Sequence, residues 1–343
     1  MGTCILSGES QMFQTSHSKT KLARRCLKAY EYRYLQKLQR RVKSRALIVG
    51  SLVHECLEMF FREGHYLPAI RTWKEGEFSK MFIEEQALHA DVIPLARQLI
   101  KGYISNWKSL DLTMLWVEKE FKIEISPGIT LIGKMDGLAR DTKKMRWLVE
   151  HKTCKKMPGE EMRIYDTQVL LYAGALPFMG EDPVNGVIWD YLRTKLPTKP
   201  QLLKSGGLSV AQNIDTTKEV YLRTIKKHGL DPRGYTDILE HLEAKRDQFY
   251  RQVKLPMNGI MGQNILHELI TTSEMLIELE REYHSGNNIC TRNLTRDCSW
   301  CDYNTLCHAE LRGEDTEYLL KHDYIVRVKH GTEEKNEPNV EEG

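Results

Sequence analysis

Residues 129–153, ITLIGKMDGLARDTKKMRWLVEHKT, decide the fold. Ile129–Arg140 and Met145–Thr153 read as two strands, and the polar run Asp141-Thr142-Lys143-Lys144 between them reads as a turn. The preceding stretch from Leu115 to Ile125, LWVEKEFKIEI, alternates apolar and charged residues as a half-buried strand does, and Ser126-Pro127-Gly128 closes it. A three-stranded meander is the result. Trp147-Leu148-Val149 is apolar on both faces, so the third strand is expected inside the sheet. On that strand Glu150 and Lys152 lie two apart and share a face, while Asp136 sits near the end of its neighbour in GKMDG. Two carboxylates and an ammonium therefore converge. Carboxylate oxygens suit a hard divalent cation such as Mg2+ or Mn2+, with positions left for water and a phosphate oxygen. Such an ion acidifies water and offsets charge developing on phosphorus, and Lys152 would orient that water or stabilise the oxyanion. The three letters E-x-K are most often a surface charge alternation; what lifts them here is the buried setting, because a buried acid needs a partner or a metal.

Working outward, a basic helix is expected over 18–45, a second over 51–63 with Leu52, Val53, Leu57, Phe60 and Phe61 at helical spacing, and further helices over 79–109. After the meander come a helix over about 160–178 and a strand over 184–193. The order αβββαβ predicts an α/β protein with a mixed central sheet flanked by helices. On the 160–178 helix Gln168 and Tyr172 stand at i and i+4, so an amide and a ring share one face and could meet a nucleotide together. His54, in GSLVHECLE, is a further metal-ligand candidate, although a histidine on a partly apolar helix is more often a core residue. Residues 194–209, TKLPTKPQLLKSGGLS, read as a basic surface loop, and helices follow over 216–228, 232–251 and 262–285. These supply extra helical segments at both ends of the core. The stretch 329–343 is acidic and is expected to be a disordered tail, and residues 1–17 an N-terminal arm.

With 41% hydrophobic and 28% charged residues over 343 positions, the chain has an ordinary globular composition, and no apolar run is long enough to cross a bilayer. Its start lacks the pattern of a secretory signal, which points to the cytoplasm. In that compartment eight cysteines are expected to be thiols or metal ligands. The net charge of +3 says little, but from Lys19 to Arg45 the only acid is Glu31. Arg24 and Arg25 belong to this basic segment, and Tyr30, Tyr32 and Tyr34 interleave with it. Basic and aromatic residues together suit a nucleic-acid backbone with bases to stack on, and a solvated helix face is an equal reading.

Cys298-x2-Cys301-x5-Cys307 places three soft ligands within ten residues, which call for a fourth. Cys290 is near in sequence, Cys26 is distant, and His308 is a lesser candidate. A four-cysteine set holds zinc or an iron-sulfur centre, and spacing alone does not choose between them.

The ordered series Gly50-Ser-Leu-Val-His54, Gly133-Lys-Met-Asp136-Gly, Glu150-His-Lys152 and Gln168-Val-Leu-Leu-Tyr172 resembles the RecB-like subset of PD-(D/E)XK nucleases, over about residues 20–193. The resemblance implies that His54, Asp136, Glu150 and the backbone carbonyl of His151 ligate Mg2+ or Mn2+, that Lys152 is the catalytic lysine, and that Gln168 and Tyr172 orient DNA. It further implies one nuclease domain over 18–312, with a core at 46–193, a helical part at 210–285 and the cysteine segment at 290–307. In the iron-sulfur branch of that family, which includes AddB and the CRISPR-associated spacer-acquisition nucleases, one N-terminal cysteine joins three C-terminal ones. By that similarity Cys26, Cys298, Cys301 and Cys307 would hold a 4Fe-4S cluster, with zinc as the rival. The expected activity is a deoxyribonuclease, an exonuclease on single strands or duplex ends, of bacterial or phage origin. Its partners would be DNA and a helicase, recombinase or single-strand-binding protein. A non-catalytic DNA-binding or assembly subunit is the alternative, and the intact Asp136, Glu150 and Lys152 argue against it.

Overall fold

The computed structural model describes residues 12–107, 111–159, 166–287 and 290–327; residues 1–11 of the expected arm and the whole 329–343 tail lie outside them. In chain order the elements are β1 (Phe13–Thr15), α1 (His17–Arg25), α2 (Leu27–Tyr30), β2 (Leu38–Arg40), α3 (Arg45–Glu63), α4 (Leu67–Gly76), α5 (Ile83–Leu88) and α6 (Val92–Trp107). The meander and its crossover follow as β3 (Leu112–Ser126), β4 (Ile129–Asp141), β5 (Arg146–Cys154), α7 (Thr167–Ala175) and β6 (Gly186–Arg193). Then come α8 (Lys218–Lys227), α9 (Thr236–Ala244), β7 (Tyr250–Pro256), α10 (Gly259–His284), α11 (Asn304–Leu311), α12 (Glu317–Asp323) and β8 (Tyr324–Val326). The chain divides into two compact units, one of residues 12–17 and 44–271, the other of residues 18–43 and 272–327.

The first unit is built on a mixed sheet in the order β1-β4-β5-β6-β7, with β3 paired to β4 off that path. β3, β4 and β5 form the expected antiparallel meander, and α7 carries the chain over to β6, parallel to β5. On its β5 side, β4 has two neighbours in succession: β1 pairs with Ile129–Leu131, and β5 pairs only with Gly137–Arg140. Among the described residues, 132–136 have no strand partner on that side, so the sheet opens there as a fork. Beyond the fork β5 runs on with β6 alone, from Glu150 to Cys154.

Both faces of this sheet are covered. Leu131, Leu148, Leu171, Trp189, Leu266 and Leu269 make the core against α7 and α10, and full burial of one such leucine contributes about 1.5–3 kcal/mol. On the opposite face Leu52, Val53, Leu57, Trp73 and Leu99 of α3, α4 and α6 pack with Leu192 of β6. α3 starts where the Ser44 hydroxyl accepts from the Leu47 amide and stops at Gly64, whose φ of 78° suits glycine. α7 and α10 approach so closely that a Cβ on Gly174 would lie 2.5 Å from the Gly262 carbonyl oxygen, so neither position tolerates a side chain without a backbone shift.

The structure corrects the sequence reading in three places. The helix expected over 232–251 ends with α9, and Tyr250–Pro256 instead adds β7 as an antiparallel neighbour of β6, because pairing that edge outweighs local helix propensity. The 194–209 segment is not wholly a surface loop: Leu208 is buried with Tyr221, Ile225, Ile238 and Leu242 in a small satellite core. The single basic helix over 18–45 is broken.

That third correction belongs to the second unit. α1 ends at Arg25, Cys26 is extended with φ of −166°, and after α2 and a π-turn the chain enters β2, antiparallel to β8. Tyr30 and Tyr32 are fully buried, and Lys28 is ion-paired to Glu31 and Glu310 at 3.1 Å each. These residues build a core and do not present rings to bases. Tyr303 completes it, stacking on Tyr324 at 5.8 Å and donating to the Leu38 carbonyl at 2.8 Å.

Candidate active site

Asp136 stands at the opening of the fork, one residue past the last pairing of Gly137 with Val149. The backbone N–H of His151 donates to Asp136 Oδ2 at 2.8 Å, which holds the carboxylate across the gap. From α3, His54 brings Nδ1 to 3.5 Å from Asp136 Oδ1 and 3.2 Å from Glu118 Oε1. Glu118, on β3, is buried and has a left-handed backbone with φ of 47°, a conformation that costs a non-glycine residue about 1 kcal/mol or more. Lys134 caps its other oxygen at 2.9 Å. One ligand atom each of His54, Glu118 and Asp136 lies within 4.8 Å of the others, the spacing of a metal site.

Glu150 and Lys152 pair with each other on the shared face of β5, as their spacing predicts. Lys152 Nζ also reaches Gln168 Oε1 at 3.5 Å, and the Gln168 amide donates to the Tyr172 hydroxyl at 3.3 Å. The Tyr172 ring is buried edge-on to Phe121, with centroids 5.6 Å apart, so its hydroxyl is what faces the site. Gly133 makes that contact possible: a Cβ there would lie 2.5 Å from the Phe121 ring.

Burial dominates the electrostatics. It pushes Glu150 up to about 7, and the Asp136 charge adds to the effect while Lys152 opposes it. Burial likewise raises Asp136, against the pull of His54. For His54 burial alone would lower the pKa, but the hydrogen bond to Glu118 and the charges of Asp136 and Glu118 carry it to about 9. Burial also works to raise Glu118, yet its contacts with His54 and Lys134 hold it below the ordinary carboxylate value. Two buried acids that resist ionising together mark a place where a cation is electrostatically favoured.

Sequence reasoning missed Glu118, because in LWVEKEFKIEI it is one of several alternating charges. Its signal is structural: the β3–β4 register slips between Met114 and Trp116, and Val117 and Glu118 are both buried where alternation would expose one. Also missed were Tyr103 and Asp190 behind His151, where the Tyr103 hydroxyl donates to Asp190 Oδ2 at 2.8 Å.

Arg24 and Arg25, the candidate DNA contacts, lie in the second unit. Arg24 donates to the Thr272 hydroxyl at 2.7 Å and Arg25 to Cys301 Sγ at 3.7 Å. Cys26, Cys298, Cys301 and Cys307 line one cavity of that unit, together with His308, and Cys290 is not among its walls. Cys290 is buried elsewhere, and burial pushes its thiol up to about 11. Among the described residues no three of the four sulfurs lie within 4.8 Å of one another.

The profile of the PD-(D/E)XK nuclease superfamily matches residues 14–308. A solved structure of a candidate exonuclease from Eubacterium rectale is similar with a TM-score of 0.42 at 15% identity, covering 87% of this chain and 91% of its own. The crystal structure of SSO0001 has a TM-score of 0.30 at 15% identity, covering 82% of this chain and 94% of its own. No curated protein matches the chain. The profile spans both the fork with its Asp136, Glu150 and Lys152 and the cysteine segment, and the chain belongs to the PD-(D/E)XK nuclease superfamily.

Proposed function

We propose that this protein is a divalent-metal-dependent deoxyribonuclease that hydrolyses phosphodiesters as an exonuclease on single strands or duplex ends. The observation that carries the reading is the convergence of His54, Glu118 and Asp136 at the fork, beside the Glu150–Lys152 pair. The donor set fits Mg2+ or Mn2+: mostly carboxylate oxygens with one imidazole, buried and held by fixed partners. Asp136 and Glu150 would hold the ion with His54 and the His151 carbonyl, and Glu118 is a further ligand. A bound divalent cation would acidify a water and offset the charge growing on phosphorus. Lys152, within reach of both Glu150 and Gln168, supplies an ammonium that can donate to a phosphate oxygen. Gln168 and Tyr172 orient the strand. The preference for ends rests on the family resemblance.

The second part of the reading is a 4Fe-4S cluster on Cys26, Cys298, Cys301 and Cys307. The four cysteines line one cavity of the second unit, and the choice of a 4Fe-4S centre over zinc rests on the family resemblance. Burial raises the Cys301 thiol, and the Arg25 guanidinium beside it works in the opposite direction.

The test is incubation of purified protein with end-labelled single- and double-stranded DNA, with and without Mg2+ or Mn2+. Cation-dependent release of short products from the labelled end supports the reading, and intact DNA under all conditions overturns it.

A further inference from the structure

His151 occupies the middle position of Glu150-His-Lys152, on the opposite face of β5 from its neighbours. Its ring is 2% exposed and pinned on two sides: Phe61 stacks on it at 6.0 Å, and Tyr103 meets it edge-on at 5.6 Å. His151 Nε2 lies 3.1 Å from the Tyr103 hydroxyl. That hydroxyl spends its own proton on Asp190 Oδ2 at 2.8 Å, and the Gln252 amide donates to Asp190 Oδ1 at 2.7 Å. A hydroxyl has one proton, so toward His151 it can only accept, and Nε2 must carry the ring N–H. The proton order of the chain is therefore fixed from Gln252 and Asp190 through Tyr103 to His151.

The consequence falls on the other ring nitrogen. Among the described residues His151 Nδ1 is buried without a hydrogen-bond partner, and it faces Asp136 Oδ2 at 3.8 Å. With the ring N–H placed on Nε2 toward the Tyr103 hydroxyl, Nδ1 offers an unused lone pair on the side of Asp136. Two acceptors thus face each other across a short gap. A histidine whose far N–H is tied through a hydroxyl to a buried carboxylate, with its near nitrogen bare, is oriented as metal-ligating histidines are, by a partner on the ring nitrogen away from the ion.

Resting on the metal-dependent reading above, the geometry points to the imidazole Nδ1 of His151 as an additional nitrogen ligand for the divalent cation, with Tyr103 and Asp190 as positioning residues that set its tautomer. A second imidazole beside His54 favours Mn2+ over Mg2+, because nitrogen donors suit the softer ion better. Tyr103 and Asp190 touch no reacting atom; they act through His151.

The experiment is pulsed EPR on the full-length protein loaded with Mn2+, which detects nitrogen nuclei coupled to the ion, alongside Mn2+ and Mg2+ titrations. Two 14N couplings are expected in the unaltered protein. His151→Phe, which keeps the ring stacked on Phe61, should lose one of them and weaken Mn2+ binding about tenfold, with a smaller change for Mg2+. Tyr103→Phe keeps the ring volume and removes only the hydroxyl; it should weaken the second coupling and lower Mn2+ affinity in the same direction. Should His151→Phe not fold, the Tyr103→Phe spectrum decides alone. A single coupling, unchanged in either variant, overturns the inference while leaving the metal site standing; a protein that binds no Mn2+ overturns both.

Discussion

Glu150→Gln should separate what the site costs from what it does. The carboxyl is 4% exposed and burial holds it near 7 rather than its usual 4.5. At about 1.4 kcal/mol per unit, that gap corresponds to about 3 kcal/mol. The sign follows from which form folding prefers: a raised acid is stabilising while protonated, so its contribution is complete below about pH 4.5 and is lost as pH climbs through 7. Glutamine keeps the shape and has no charge to bury. In the absence of divalent cations, Glu150→Gln should therefore gain on the unaltered protein by up to about 3 kcal/mol between pH 4.5 and pH 8, less whatever Lys152 loses with its partner. The Glu150 charge also helps to raise His54 and Lys152 and is felt by Asp136, so the difference between the two proteins reports Glu150 together with these neighbours. Urea unfolding followed by tryptophan fluorescence at the two pH values measures the gain. Adding Mn2+ at pH 8 should then stabilise the unaltered protein and not the variant. A stability difference that is the same at both pH values would refute the argument that burial of Glu150 is the dominant electrostatic cost of the site.

Further outcomes are expected elsewhere. Lys152→Ala should lower the cleavage rate by about 100-fold or more with little loss of stability, since the ammonium is partly exposed and removes no core volume; single-turnover assays and thermal melts check both. Asp136→Asn and Glu118→Gln should each weaken Mn2+ binding by about tenfold or more in calorimetric titration, and unchanged affinity in either would remove that residue from the ligand set. On the proposed 4Fe-4S reading, anaerobically purified protein should be brown and contain acid-labile sulfide, and Cys26→Ser should abolish both whereas Cys290→Ser should leave both; the reverse pattern would make Cys290 the fourth ligand. Gly174→Ala should destabilise by about 1–3 kcal/mol in chemical denaturation, because the new methyl meets backbone rather than a movable side chain.

The meander was legible because three independent signals agreed on it: period-two alternation in β3, the Asp141–Lys144 turn, and the apolar approach to Glu150. The face shared by Glu150 and Lys152 needed only the geometry of a strand. What could not be read was anything that depends on where the sheet parts. Glu118 looks like an ordinary alternating charge until the register slip beside it is known. Tyr103 and Asp190, 87 residues apart, meet only because α6 crosses the face of β6. The basic run of residues 19–45 misled for the opposite reason: its local composition was clear, but tertiary burial took Tyr30, Tyr32 and Lys28 into a core.

The fork has a consequence for how tightly the sheet holds its protons. Amides in the middle of a central hairpin are ordinarily among the slowest to exchange with solvent deuterium, because they open only with the whole structure. β4 should be uneven. Leu138 and Ala139, laddered on both sides, should exchange slowly, while those amides of Lys134–Asp136 that face the gap have no strand to release and should exchange orders of magnitude sooner. A ligand that bridges β4 and β5 at Asp136 and Glu150 would close this seam, so protection arriving at residues 132–136 would report occupancy of the site without any reaction being run.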